Sequence, residues 1–252
     1  MTERSPEDDS AAALPAPGAA PQRATELAAN LAAVRARVAA AEVQAGRIPG
    51  AVTLIAVTKF FPASDVELLA ALGVRDFGEN KHQEAVAKVE QVHADGIVWH
   101  FIGQLQSNKA AAVARYVDQV DSVDRRSLVT ALDKGATRAD RTVGVLIQVS
   151  LDDTPTSGRG GVDPAVVTEL AETIAGAGRL QLRGVMGVAP LGEDPATAFA
   201  RLVRISHDLQ RDHPGATQIS AGMSGDLEAA VTAGATHVRV GTALLGARPP
   251  LR

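Results

Sequence analysis

A lysine at the end of an apolar segment is the first residue of this sequence whose type and position could do chemistry. Residues 52–59 read VTLIAVTK, a run suited to a buried strand that ends on Lys59, and the chain then breaks at Phe60-Phe61-Pro62. Such a lysine is either a solvated strand end or an amine held at the mouth of a pocket. A desolvated lysine near another cation can form a Schiff base with an aldehyde or ketone.

Two glycine-containing segments near the C-terminus are suited to hold an anion. In AGMSGDLEAA, Ser224 and Gly225 precede a predicted helix, whose first N–H groups and positive dipole end favour an anion. In RVGTALLG, Gly241 and Thr242 follow the last predicted strand, and glycine allows the backbone to approach an anion closely. As ordinary features, Ser224 would be a helix N-cap and Gly241 a turn glycine.

The elements that must position these residues alternate between strand and helix patterns. An amphipathic helix over residues 24–45 comes first. Eight strand segments follow, and a helical segment comes after each of them except the last: 52–59, 74–80, 98–103, 119–124, 143–151, 180–188, 217–220 and 237–246. This alternation requires a parallel sheet, and eight units predict a (β/α)₈ TIM barrel with an extra N-terminal helix. An open doubly wound sheet is the alternative, but no GxGxxG follows the first strand.

The barrel prediction also gives the position of the site. Active sites of TIM barrels lie at the C-terminal ends of the strands, and phosphate sites lie in the loops after strands seven and eight. Polar or glycine residues recur at the predicted strand ends, and they include Lys59, Asn80, His100, Asp121, Gln148, Gly187, Ser220 and Arg239. Both glycine-containing segments follow strands seven and eight. We therefore expect Lys59 to face a phosphate site across the barrel mouth, with Arg239 between them.

Composition excludes several other classes of function. The 252 residues carry a formal net charge of −4 with 3% aromatic residues, which argues against a nucleic-acid partner. No apolar run is long enough for a membrane span, so we expect a soluble protein. Cysteine is absent, and the six histidines show no metal-binding spacing, so we expect no metal site and a cytoplasmic location. Residues 1–21 are rich in Ala, Pro and acidic residues and predict a disordered tail, followed by one domain over 22–252.

The residues alone leave two chemistries open. A lysine amine beside a phosphate site fits an aldolase that acts on a phosphorylated sugar without a cofactor. It fits equally well the binding of pyridoxal 5′-phosphate (PLP), which carries both an aldehyde and a phosphate.

Longer motifs are spread over residues 27–248: VTLIAVTKFFPASDV, FGENKHQEA, WHFIGQLQSNK, SVDR, AGMSGDLEAAV and GATHVRVGTALLGAR. They resemble those of the pyridoxal phosphate homeostasis protein family, whose fold is similar to the N-terminal barrel domain of alanine racemases. It implies a PLP-binding barrel. The sequence departs from the family pattern after strand five, where it reads TPTSGRGG and Arg159 could replace a basic residue, and at Thr58, where the family commonly has serine.

The resemblance implies a role for each candidate residue. Lys59 corresponds to the lysine that holds the cofactor as an internal aldimine, and Arg239 to the arginine that faces the pyridine nitrogen. Asn80 and Met186 are expected near the ring and its 3′-oxygen side. The expected phosphate ligands are Ser224, Gly241 and Thr242. Because an arginine does not give up its proton, the ring nitrogen should stay unprotonated and the cofactor should be a poor electron sink.

A carrier is the favoured function, and a slow amino-acid racemase is the alternative. Racemisation needs a proton donor on each face of the cofactor, which in alanine racemases includes a tyrosine from a C-terminal β domain. This chain ends at Arg252, so we expect no such domain, and its single tyrosine, Tyr116, is expected to pack. The resemblance implies storage and delivery of PLP, with apo PLP-dependent enzymes as partners. We expect a monomer or weak dimer, with Lys109 as a possible second aldehyde site.

Overall fold

The sheet closes on itself because its first and last strands are hydrogen-bonded to each other. The computed structural model describes residues 19–152 and 160–248. Its eight parallel strands follow one another around a closed barrel, which confirms the TIM-barrel prediction. The strands are β1 Thr53–Val57, β2 Asp76–Glu79, β3 Val98–Phe101, β4 Gln119–Val123, β5 Val143–Gln148, β6 Leu180–Met186, β7 Gln218–Ser220 and β8 His237–Val240.

Helices alternate with these strands, and the predicted extra helix precedes β1. The helices are α1 Ala19–Gln44, α2 Ala63–Ala71, α3 His82–Gln91, α4 Ser107–Val113, α5 Arg126–Arg138, α6 Val167–Ala175, α7 Pro195–Asp212, α8 Leu227–Ala233 and α9 Thr242–Leu245. Helix α1 begins at Ala19, five residues before the start predicted for it. Residues 1–18 lie outside the described residues, so the disorder of the tail stays a prediction.

The last predicted strand, 237–246, is too long. Strand β8 ends at Val240, and residues Thr242–Leu245 form the short helix α9. The apolar run Ala243-Leu244-Leu245 suits a buried strand or a buried helix equally well. Packing against α1 decides between them, since Asn30 Nδ2 donates to Leu244 O at 3.0 Å and Arg23 Nη2 donates to Leu245 O at 3.0 Å. Gly241 and Thr242 therefore belong to a strand-to-helix turn.

Side chains alternate between the two sides of the barrel wall. One set joins the apolar core between strands and helices, and it includes Ala56, Phe77, Phe101, Val120, Ile147, Val185, Ile219 and Val240. The residues between these point into the barrel, because successive strand residues face opposite sides. The inward set is mixed: Ile55 and Leu146 are apolar, whereas His100, Asp121 and Arg239 are buried and charged or polar.

A bulge between β5 and β6 produces a testable requirement for glycine. The pairing runs from Val145↔Leu182 to Leu146↔Gly184, so Arg183 is the extra residue. Gly184 has φ 151°, and a Cβ there would lie 1.9 Å from Gln218 O in β7. No rotation of a side chain can remove this clash with backbone.

We predict that Gly184→Ala lowers the free energy of unfolding by at least about 2 kcal/mol, because it adds strain and pushes β6 from β7. Urea unfolding monitored by circular dichroism measures the loss. Gly178→Ala is the matched control, since a Cβ there meets nothing within 4 Å, and it should change stability by less than about 0.5 kcal/mol. Equal stability of the two variants would contradict the assignment of the bulge.

Candidate active site for an aldehyde and a phosphate

Lys59 lies two residues beyond the end of β1, at the C-terminal edge of the barrel. Its neighbour Thr58 is fully buried on the outer side, where its hydroxyl donates to Glu79 Oε1 at 2.6 Å. The Lys59 amine lies 6.0 Å from the centre of the Phe60 ring, and it has no hydrogen bond or ion pair with any residue that the structure describes. Within the described residues, the Lys59 amine therefore has no carboxylate partner.

The loops after β7 and β8 lie beside β1. A Cβ on Gly241 would be 3.4 Å from Val57 O, so the Gly241 backbone lies against the end of β1. Ser224 Oγ accepts a hydrogen bond from Ala243 N at 3.3 Å, which joins the two loops. The Ser224 carbonyl in turn accepts from Arg37 Nη2 of α1 at 3.0 Å. The structure thus brings Ser224 close to the turn that contains Gly241 and Thr242, and their role as phosphate ligands stays a prediction.

The predicted arrangement of these loops relative to Lys59 is wrong in one respect. The sequence analysis placed the phosphate site across the barrel mouth from the lysine. Because β8 pairs directly with β1, with Ile55 opposite Arg239, the loop after β8 is the immediate neighbour of Lys59. A ligand that reaches from Lys59 to the loop after β8 therefore spans the distance between adjacent strands and not the width of the barrel.

Arg239 points into the barrel from β8 and is held at two points. Its Nη1 donates to Ser220 Oγ at 2.9 Å and its Nη2 donates to Gly187 O at 3.0 Å. The residue is only 5% exposed, and burial lowers its pKa while the Asp121 carboxylate opposes that change. Met186 is also buried on the inner side and pairs with Ser220 across β6 and β7. The side chains of Arg239 and Met186 are therefore both buried in the barrel interior, beneath the loops that follow β7 and β8.

A chain of polar side chains continues from Arg239 through the barrel interior. Ser220 Oγ donates to Asp121 Oδ2 at 3.3 Å. Asp121 Oδ1 lies 3.2 Å from His100 Nδ1, and His100 Nε2 lies 3.1 Å from Asp76 Oδ1. The sequence analysis placed His100 and Asp121 at strand ends but did not identify their pairing. The sequence did contain a signal for this pairing, because both residues occupy strand positions whose side chains face the barrel interior.

The charges in this interior chain stabilise one another. Burial by itself would lower the pKa of His100, but the Asp121 and Asp76 carboxylates outweigh it and raise this pKa to about 9. Burial would raise the pKa of Asp121, but His100 outweighs it and holds this pKa below its usual value. His100 is therefore an imidazolium at neutral pH, and both its ring nitrogens donate hydrogen bonds.

Asn80 directly follows β2, and it lies next to Gly103 in the loop that follows β3. A Cβ on Gly103 would be 2.2 Å from Asn80 O, so these two loops touch through backbone. A cavity of about 250 Å³ opens beside Asn80 and is lined in part by Lys81, Gln104 and Lys109. Lys109 thus lies across this cavity from Asn80, and its role as a second aldehyde site stays a prediction.

The remaining sequence predictions have mixed outcomes. Tyr116 packs on the outside of the barrel, where its hydroxyl lies 3.1 Å from His82 Nδ1. Arg159 lies outside the described residues. Across residues 19–152 and 160–248, no group of three or more His, Asp or Glu side chains is placed to hold a metal ion. Within the same ranges, no helix combines the length and the hydropathy that crossing a membrane requires.

Comparison with known proteins defines the family. The model of the alanine racemase N-terminal domain matches residues 27–249. The pyridoxal phosphate homeostasis protein of Mycobacterium tuberculosis H37Rv is 43% identical over 247 residues, which cover 90% of this chain and 95% of that protein. This chain belongs to the pyridoxal phosphate homeostasis protein family. The Escherichia coli K12 member is 37% identical over 233 residues, covering 88% of this chain and 97% of that protein.

Solved structures agree with this assignment. PipY of Synechococcus elongatus, in a structure with PLP bound, is 35% identical with a TM-score of 0.74, and the match covers 87% of this chain and 100% of PipY. The alanine racemase of Streptomyces coelicolor is 21% identical with a TM-score of 0.68, over 87% of this chain and 59% of the racemase. The second likeness shows the fold alone.

The hydrogen-bonded side chains around His100 in the barrel interior predict that the free energy of unfolding depends on pH. The pKa of His100 is about 9 in the folded protein and about 6.5 in an unfolded chain. Its contribution is therefore fully present below pH ~6.5 and is lost as the pH rises through about 9. The whole contribution is on the order of 3 kcal/mol.

Urea unfolding between pH 6 and 10 should show this loss in the wild type but not in His100→Gln, which should also be less stable at pH 6. His93→Gln is the control, because His93 is exposed, and it should follow the wild-type curve. A constant difference between wild type and His100→Gln across this pH range would show that His100 is not charged in the folded protein.

Proposed function

We propose that this protein binds PLP through Lys59 and keeps it for storage and delivery, and so maintains the intracellular pool of vitamin B6. The proposal is supported by the position of Lys59, whose amine has no carboxylate partner among the described residues and which follows β1 beside the Gly241 turn. The names of the relatives and the PLP-bound structure of PipY support the choice of ligand.

The donor set of the two loops fits the phosphate of PLP. The hydroxyls of Ser224 and Thr242 can donate hydrogen bonds, and Gly241 lets the backbone come close to an anion. We assign the phosphate to these three residues. The link between Ser224 Oγ and Ala243 N holds the two loops together, so the phosphate would meet a site that is already formed.

Lys59 supplies the covalent attachment in this proposal. Its amine would hold the aldehyde carbon of PLP as a Schiff base. Asn80 at the mouth and Met186 in the barrel interior would flank the ring. When bound, PLP supplies an aldehyde carbon that a lysine can hold reversibly and a ring that can withdraw electrons. An aldolase without cofactor is less well supported, because the relatives are named for PLP homeostasis.

The residues around the ring nitrogen favour holding the cofactor over turning over a substrate. Arg239, fixed by Ser220 and Gly187, would face this nitrogen, and an arginine does not donate its proton. Electron withdrawal by the ring is then weak. Racemisation also needs a second proton donor on the opposite face. Tyr116 is unsuited to that role, because it contacts His82 outside the barrel.

The proposed partners and location follow from this function. Apo PLP-dependent enzymes are the proposed recipients, and we propose that the protein works in the cytoplasm as a monomer or weak dimer. The absence of cysteine from the sequence is compatible with a reducing compartment.

Transfer of PLP to an apo enzyme tests the carrier function. The PLP-loaded protein, freed of unbound cofactor, is mixed with an apo aminotransferase, and recovery of transaminase activity is followed. We expect reactivation to depend on recipient concentration and to persist when a scavenger of free PLP is present. Complete loss of reactivation in the presence of the scavenger would show release into solution and would contradict delivery.

The racemase alternative is tested with the same preparation. Incubation with L-alanine or D-alanine should leave the enantiomer unchanged, as measured by chiral chromatography. Repeated turnover to the opposite enantiomer would establish the alternative and replace the carrier proposal.

A further inference from the structure

The backbone on both sides of Lys59 is held by two side chains of α3. The carbonyl of the preceding peptide, Thr58 O, accepts a hydrogen bond from Lys88 Nζ at 2.8 Å. The N–H of the following peptide, Phe60 N, donates to Glu84 Oε1. Glu84 and Lys88 are one helical turn apart and are themselves 3.2 Å apart. Two neighbouring positions on one helix therefore hold the two peptide groups that define the backbone of Lys59.

Lys88 is a buried ammonium group whose three donors each have an acceptor. The residue is 5% exposed, and its Nζ lies 2.8 Å from Thr58 O, 2.6 Å from Glu79 Oε1 and 3.2 Å from Glu84 Oε1. An ammonium group has three hydrogens and no acceptor, so this arrangement is complete. Glu79 Oε1 also accepts from the Thr58 hydroxyl at 2.6 Å, which adds a second contact to Thr58.

The turn that follows Lys59 would not adopt its shape unaided. Phe60 has φ 73°, in the left-handed region that residues with a side chain rarely occupy. Such a conformation costs of the order of 1–3 kcal/mol and persists only where the surroundings enforce it. Glu84 on Phe60 N and the bond from Phe61 N to Thr58 O, at 3.0 Å, supply that enforcement.

Stability alone does not account for this cluster. Bringing a lysine and a carboxylate out of water costs about as much as their attraction returns, and apolar residues of similar volume would pack at least as well. Burial raises the pKa of Glu79 despite Lys88 and Thr58, and Glu79 Oε2 has no partner among the described residues. The cluster is thus costly, and what it provides is a defined backbone on each side of Lys59.

We propose that Glu84 and Lys88 are positioning residues for Lys59, which hold its backbone so that its amine points into the barrel mouth. This role rests on the proposed function, because the attachment of PLP to Lys59 is what makes its direction important. Attachment requires the amine to reach an aldehyde whose phosphate is already held at a separate point, which leaves a tolerance of about half an ångström. If the backbone of Lys59 were mobile, the amine would no longer stay in position to reach the aldehyde, even with the phosphate loops unchanged.

Hydrogen exchange in the protein without PLP tests the structural half of the proposal. Glu84→Ala removes the acceptor for Phe60 N, whereas Glu84→Gln keeps a side-chain oxygen there. We expect the Phe60 amide to exchange at least tenfold faster in Glu84→Ala and within threefold of wild type in Glu84→Gln. Glu90→Ala is the control, because Glu90 is exposed on the same helix, and it should change nothing.

The affinity for PLP, measured by absorbance titration of the same four proteins, tests the functional half. We expect the dissociation constant to rise at least tenfold in Glu84→Ala, with Glu84→Gln within threefold of wild type and Glu90→Ala unchanged. Lys88→Met should weaken binding at least as much. If Lys88→Met does not fold, the Glu84 variants still test the positioning role, because the Glu84 side chain is 25% exposed and its substitution disturbs the core less.

The outcomes separate this role from the function on which it rests. Wild-type affinity in Glu84→Ala would overturn the positioning role and leave PLP binding intact. Equal loss in Glu84→Ala and Glu84→Gln would also overturn it, because both would then act through charge and not through the bond to Phe60. A wild-type protein that binds no PLP would overturn the proposed function and, with it, this role.

Discussion

The parallel pairing of β1 with β8 is the interaction on which the rest of the structure depends. It closes the barrel, with Ile55 opposite Arg239 and Ala56 opposite Val240. Closure removes the free edges of the sheet, which would otherwise expose unpaired backbone groups. It also brings Lys59 next to the turn at Gly241, although these residues lie at opposite ends of the sequence. An open sheet with the same strands would hold the same residues and would have no site.

The second constraint is the placement of charge in and around the barrel. Many TIM barrels fill their interior with layers of branched apolar side chains, whereas this one carries Arg239, Asp121 and His100 in hydrogen-bonded contact. Lys88 and Glu79 form a separate buried pair outside the wall, behind Lys59. His100 and Lys88 each contact a carboxylate, and Arg239 donates to the Ser220 hydroxyl and the Gly187 carbonyl, as the cost of burying charge requires. Lys59, by contrast, has no such partner among the described residues, and this leaves its amine available to a ligand.

The sequence predicted the fold well, because βα alternation and strand-end polarity are local patterns that a barrel must show. The site residues that it named stay predictions, and it did not predict how the strand ends are arranged. The strand predicted to run through Thr242 ends at Val240, since an apolar run such as Ala243-Leu244-Leu245 does not reveal that α1 will pack on it. The contacts of Lys88 depend on loops that meet only in the folded chain. A weak signal existed, because Lys88 follows the buried Ala85 by three residues and so lies on the inner face of α3.

The attachment of PLP to Lys59 is the central claim, and the most direct measurement is reduction of the loaded protein with borohydride followed by peptide mass mapping. Borohydride converts a C=N bond between lysine and cofactor into a stable amine. The account predicts one pyridoxyl phosphate group, carried by the peptide that contains Lys59, and no stable label in Lys59→Ala. A label found instead on Lys81 or Lys109, or one that persists in full in Lys59→Ala, would contradict it.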